Sequence, residues 1–276
     1  NIINLMSKVC DWAMVNAFIT KNWVREAQLV RPQRPKLSLA DEDAKFLDLD
    51  EIALLSEFCR TDGANTTAKA IIALGLMAGL RRGEIAAIQW GAIGWDSNTL
   101  RVTQAISDGK ISTETKSTAS RATINVPATF LRILQEHHDA MKAAGRSVAR
   151  DAYVVTRDTP RKSGPAGAGK NTAALPAGVF HPDELNDFWD EHIKPLGLKP
   201  TSTPHAMRHS YASVLIQEQG HNLKFIQSQM RHASFHITMG TYGHLFKTNN
   251  PEAMRSLDAF FAPKVVAGRF TATAHR

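Results

Sequence analysis

Two histidines, two arginines and a tyrosine stand at spacings that suit phosphoryl chemistry. His205 and Arg208 lie three apart in Pro204-His205-Ala206-Met207-Arg208-His209-Ser210-Tyr211. His232 follows Arg231, and Tyr242 comes ten residues later within Thr241-Tyr242-Gly243-His244. Far upstream, Gly79-Leu80-Arg81-Arg82-Gly83-Glu84 supplies a second arginine, Arg81, and a carboxylate, Glu84, able to orient it. Guanidinium groups offset phosphate charge through paired hydrogen bonds. Imidazoles move protons near neutral pH. A phenol attacks once a base or nearby cations help remove its proton. Together the set could grip a phosphodiester and attack it.

Taken singly, each residue also has an ordinary explanation. Thr203 suits an N-cap and Pro204 a first helical position, which would put His205 and Arg208 on one face near the positive helix end. A plain solvated helix start reads the same way. Arg81 follows an apolar helix, hence a rigid support, yet an Arg–Glu pair at a helix end is commonplace. Lys116, in Thr115-Lys116-Ser117, lies near a turn between strands, where lysines usually just face water. Tyr242 reads either as a core aromatic or as a nucleophile. The chain has only three tyrosines, and this one has polar neighbours.

The elements that must position these residues are mostly helical. Apolar residues recur at helical spacing over 2–19, and helices are expected at about 50–59, 66–80, 82–90 and 128–144. Residues 66–80 are apolar on nearly every side, the mark of a core helix. Thr99–Ala105, Lys110–Thr115 and Arg121–Val126 are rich in Thr, Val and Ile and read as three consecutive strands of one antiparallel sheet, with Asp108-Gly109 as a hairpin turn. Tyr153–Thr156 reads as a short buried strand, 157–178 as a loop, and further helices are expected at about 182–193, 204–219, 222–231, 234–242 and 251–261. The fold class is thus mainly α with a small three-stranded antiparallel sheet, an α+β architecture. Arg31-Pro32-Gln33-Arg34-Pro35-Lys36 is a stiff, cationic connector, which divides the chain into 1–35 and 36–276.

Composition sets limits. An apolar content of 43% is enough to fill a core, and 21% charged residues argue against wholesale disorder. The formal net charge of +7 favours phosphate-bearing partners, though many basic proteins bind no nucleic acid. Cys10 and Cys59 match no metal spacing and read as buried free thiols in a reducing compartment. Neither an apolar run long enough for a membrane span nor a secretory signal is visible. Gly164-Pro165-Ala166-Gly167-Ala168-Gly169-Lys170-Asn171 approaches a phosphate-binding loop, but lacks the Ser or Thr after Lys170 and the flanking strand and helix. It reads as a flexible loop.

The order Arg81, Lys116, His205-x-x-Arg208, His232, Tyr242, across a helix–small sheet–helix layout, resembles the tyrosine recombinase (phage integrase) family over about residues 45–262. Residues 78–90 look like its first arginine motif, 205–209 like its His-x-x-Arg-His box, and 232–245 like its nucleophile box. One departure is Arg231, where the family usually has glycine; it is expected to alter the turn or add a phosphate contact. The resemblance implies a site-specific DNA recombinase acting through a 3′-phosphotyrosyl link, with Arg81 and Arg208 on the phosphate oxygens and His232 donating a further hydrogen bond. His205 would assist Tyr242, Lys116 would protonate the leaving 5′ oxygen, and Glu84 would support Arg81. It also implies no metal and no other cofactor, double-stranded DNA as partner, a homotetramer on paired DNA sites, no membrane, and a cytoplasmic location. By the same resemblance, residues 1–35 look like the end of a helical core-binding domain, and 251–261 like a segment that docks on its own domain or a neighbour. The alternatives are a binding-only or inactive relative and a type IB topoisomerase-like enzyme.

Overall fold

The structure is a computed structural model. It describes residues 2–27, 46–107, 109–112, 122–157, 175–176, 178–219, 222–232, 234 and 239. The chain divides into two compact units, Asn1–Asp43 and Ala44–Arg276.

In the first unit, helix α1 spans Ile2–Val15 and α2 spans Trp23–Glu26. The expected helix over 2–19 stops early because Ala17 turns left-handed, with φ 57°. Asn22 ties the two helices. Its side-chain oxygen caps α2 through Val24 N and Arg25 N, while its Nδ2 donates to Ser7 O and to Asp11 Oδ1 at 2.7 Å. The apolar side chains Ile2, Leu5, Val9 and Trp12 of α1 are exposed. Cys10 is half-buried, a correction to the expected buried thiol; Cys59 is buried, and both are free.

In the second unit, α3 (Leu49–Phe58) opens with a capping box in which Asp48 and Glu51 satisfy each other's backbone N–H groups. Next, α4 (Thr66–Ile72) is capped by Asn65 and is buried nearly throughout. The apolar run was expected to stay α-helical to residue 80. Instead Ala73–Met77 forms a π turn, and the helix ends at Gly79 with φ 60°. A side chain there would collide with the ring of Tyr211, so glycine is required by both conformation and space. Helix α5 (Arg82–Ala87) starts at once, and a 3₁₀ turn covers Trp90–Ala92.

Five short strands follow: β1 (Ile93–Gly94), β2 (Thr99–Val102), β3 (Ala105–Ser107), β4 (Lys110–Ser112) and β5 (Ala122–Asn125). The expected single sheet is corrected in detail. β1, β2 and β5 form one antiparallel sheet in that order, while β3 and β4 pair separately. The run over 99–105 breaks after Val102 because Gln104 donates its Nε2 to Ala87 O at 2.7 Å, tying the chain to the end of α5. β5 then pairs with β2, Ile124 opposite Leu100. Leu100 and Val102 face inward while Arg101 faces out, the alternation a half-buried strand needs.

Helix α6 (Ala128–Ala143) buries Phe130, Leu131, Ile133, Leu134 and Met141 on one face. Each is worth roughly 1.5–3 kcal/mol of burial. The buried His137 bridges Thr66 Oγ1 at 3.0 Å and Val154 O at 2.9 Å, joining α4, α6 and the segment at 153–156. That segment makes isolated bridges, Gln89 with Tyr153 and Thr156 with Val179, rather than a full strand. α7 (Glu184–Phe188) runs into a π turn at Trp189–Ile193, and α8 (Pro204–Gln219) and α9 (Leu223–Met230) complete the described core. Apart from residues 234 and 239, the expected helix at 234–242 lies outside the described residues, as do the expected helix at 251–261 and the glycine-rich loop at 164–171. Among the described residues, no helix is long and apolar enough to cross a membrane.

Candidate active site

The site is organised around two acceptors at the start of α5, the Gly79 carbonyl and the Glu84 carboxylate. Glu84 sits in the first turn and folds back on the residue before the helix. Its Oε2 accepts from Arg81 N at 2.8 Å and its Oε1 from Arg81 Nη1 at 2.9 Å. This fixes the Arg81 guanidinium while leaving its side chain 42% exposed.

Arg208 approaches from α8, one turn after His205. It is buried, and a buried cation must be matched by acceptors. Its Nη1 donates to Gly79 O and its Nη2 to Met230 O at 2.5 Å. Arg208 thereby joins the end of the π turn to the end of α9. Met207, beside it, packs against Gly75.

α9 is capped by the side chain of Asn222, which accepts from Phe225 N at 2.9 Å. It closes on Arg231 with φ 51° and ψ 43°, a left-handed end of the kind glycine usually supplies. The Arg231 side chain is buried. Its Nη2 donates to Glu84 Oε2 at 2.7 Å and to Gly79 O at 3.1 Å, and its Nη1 to Gln229 O at 3.0 Å. The turn therefore keeps its left-handed form, and the guanidinium points inward. An outward phosphate contact from Arg231, one of the two expectations, is not what this geometry offers. His232 follows, 6% exposed, its backbone N donating to Gln227 O and its carbonyl accepting from Gln227 Nε2, both at 3.2 Å.

The charges respond to this crowding. Burial pushes the Glu84 carboxyl up, but Arg231, then Arg81, with Arg208 behind them, bring it below its usual range. Burial first, then Arg208, Arg81 and Arg231, lowers His232 to about 4. His205, exposed at the helix start, stacks edge-on against His209 at 4.6 Å. Partial desolvation, then Arg208, Arg81 and Arg82, lowers its pKa too. Both imidazoles are therefore neutral at neutral pH. A cleft of about 750 Å³ opens in front, lined by Arg81, Arg82, Ile106, His181, Trp189 and His205 among others.

The structure thus brings Arg81, Glu84, His205, Arg208 and His232 into one electrostatic neighbourhood. Lys116 and Tyr242 lie outside the described residues. The other two tyrosines lie in settings that hold their phenols protonated. Tyr211 is buried against the Gln229 amide at 3.2 Å with its phenol pushed up to about 12, and burial also raises Tyr153. Sequence reasoning missed the Gly79 carbonyl as a shared acceptor; its signal was a glycine at the end of an apolar helix. It also missed Glu51, whose Oε1 accepts from Lys199 N at 2.9 Å and from Ser202 Oγ, bracing the approach to α8.

The chain and its fold are similar to those of known proteins. The chain is 23% identical over 277 aligned residues to a "Tyrosine recombinase XerC-like" protein of Caldanaerobacter subterraneus subsp. tengcongensis, covering 94% of this chain and 65% of that one. It is 24% identical over 276 residues to the ICEBs1 integrase of Bacillus subtilis, covering 94% and 64%. The chain therefore spans a little under two thirds of the length of these relatives. Its fold is similar to that of the Tn1549 transposon integrase, solved in complex with circular intermediate DNA. That match has a TM-score of 0.57 at 16% identity and covers 93% of this chain and 76% of the other. The phage integrase family matches residues 45–249, and that span takes in every described residue of the site; the chain belongs to this family.

Proposed function

We propose that this chain is the catalytic part of a site-specific DNA recombinase that cleaves and rejoins strands through a 3′-phosphotyrosyl intermediate. The observation that carries the reading is the convergence of Arg81 and Arg208 on the paired acceptors Gly79 O and Glu84, with neutral His205 and His232 alongside. A phosphodiester resists attack because its charged oxygens repel nucleophiles. Arg81 and Arg208, held before substrate arrives, would stabilise the charge that grows on the two non-bridging oxygens. The imidazole of His232 would donate one further hydrogen bond.

Tyr242 would attack phosphorus. A phenol has an ordinary pKa near 10, so it needs a base. The lowered pKa of His205 keeps its imidazole neutral and able to accept that proton. The bond to the 5′ oxygen breaks, and Lys116 would give that oxygen its proton. The phosphotyrosyl bond conserves the bond energy, and a 5′ hydroxyl of another strand reverses the step. No redox or nucleotide cofactor is needed for this balance. Double-stranded DNA is the partner, and exchange between two duplexes calls for four protomers on paired sites. Residues 1–35 would be the end of a DNA-binding domain.

The test is a nicked duplex that traps the covalent link. The wild type is expected to give an adduct that survives SDS, and Tyr242→Phe none. A wild type that binds the duplex without forming an adduct would point to a binding-only protein.

A further inference from the structure

Arg231 occupies a position where its backbone favours glycine. Its left-handed φ of 51° strains any residue with a Cβ. The strain is held by a side chain whose exposure is 0% and whose two outer nitrogens reach three acceptors. Two of those acceptors are the ones that orient the arginines proposed to hold phosphate. Glu84 also binds Arg81, and the Gly79 carbonyl also binds Arg208. One buried guanidinium thus stands behind both.

We propose that Arg231 is a positioning residue for strand cleavage, clamping Glu84 to the Gly79 carbonyl so that Arg81 and Arg208 present their guanidinium planes at a fixed angle to one phosphate. The proposal rests on the strand-cleavage reading. Without Arg231, Glu84 keeps Arg81 as a partner but loses its second anchor. The carboxylate can then swing with the half-exposed Arg81 side chain. The Gly79 carbonyl, similarly, would be left to Arg208 alone. The expected loss falls on the chemical step, because small displacements of a preorganised group cost rate far more than affinity.

Arg231→Gly and Arg231→Lys test this. The first relieves the left-handed turn and deletes the guanidinium. The second keeps a cation but cannot fork between Glu84, Gly79 O and Gln229 O. Adduct formation on the nicked duplex is followed under single turnover, and duplex affinity is measured separately by mobility shift. Arg231→Gly is expected to bind within about two-fold of wild type and to form adduct roughly ten- to a hundred-fold more slowly, with Arg231→Lys intermediate. An Arg231→Gly protein that forms adduct at the wild-type rate overturns the proposal and leaves the strand-cleavage reading standing. So does one whose affinity and rate fall together. A wild type that forms no adduct sinks the strand-cleavage reading and the proposal with it. If melting curves show that Arg231→Gly does not fold, Arg231→Lys decides: a slowed adduct at unchanged affinity supports the role, and a wild-type rate refutes it.

Discussion

Replacing Glu84 by glutamine probes the centre of the site. The carboxylate is 6% exposed and receives three hydrogen bonds, two from Arg81 and one from the wholly buried Arg231. Glutamine keeps the size but removes the charge, and its amide N–H₂ must face a guanidinium. Taking one partner from a buried ion pair costs about 3–5 kcal/mol, because the other charge stays buried without compensation. Arg81 is half in water and softens the loss, so the lower end, about 3 kcal/mol, is expected. For a domain of this size that is a drop of roughly 6–12 °C in melting temperature. The pH dependence gives a second check. Glu84 is held below its ordinary value of 4.5, so its contribution is complete above that value and is lost as pH falls through the lower folded value. The gap between wild type and Glu84→Gln should therefore be full at neutral pH and close in acid. Thermal melts by circular dichroism across pH measure both. A variant melting within about 2 °C of wild type at neutral pH would refute the idea that this carboxylate anchors the site. A gap that does not narrow in acid would refute its electrostatic basis.

Other expectations follow from the same geometry. Gly79→Ala meets both a left-handed φ of 60° and the Tyr211 ring, so urea unfolding should show a loss of about 2–5 kcal/mol. His232 is held neutral, its pKa lowered from 6.5 to about 4, so the unfolded chain binds the proton first. Its contribution is complete above the higher value and fades as pH falls toward the lower one, by about 3 kcal/mol in all. Stability measured across that range should fall more steeply for wild type than for His232→Gln. Glu51→Ala leaves Lys199 N and Ser202 Oγ without their acceptor, costing about 1–3 kcal/mol, and should slow adduct formation by loosening the start of α8. Duplex binding should weaken linearly in log–log salt plots, and a flat response would speak against a phosphate-gripping surface.

The sequence by itself marked most of the helices and singled out candidate site residues. Apolar spacing marked α1, a run apolar on nearly every side marked α4, and the Thr203–Pro204 start marked α8 through local backbone chemistry. The spacing of Arg81, His205, Arg208 and His232 singled them out as candidates, because phosphoryl chemistry would need those side-chain types in one place. Only the tertiary structure decided how they are held. The break at Gln104 goes with a hydrogen bond to the end of α5, 17 positions away, and β5 pairs with β2 rather than with β4. The closeness of Gly75 to the Met207 side chain and of Gly79 to the Tyr211 ring, both from α8, is likewise set by folding. Arg231 shows the limit most clearly. Its departure from glycine was legible, but the direction of its guanidinium was not, since that depends on a carboxylate and a carbonyl some 150 residues away that only folding brings within reach.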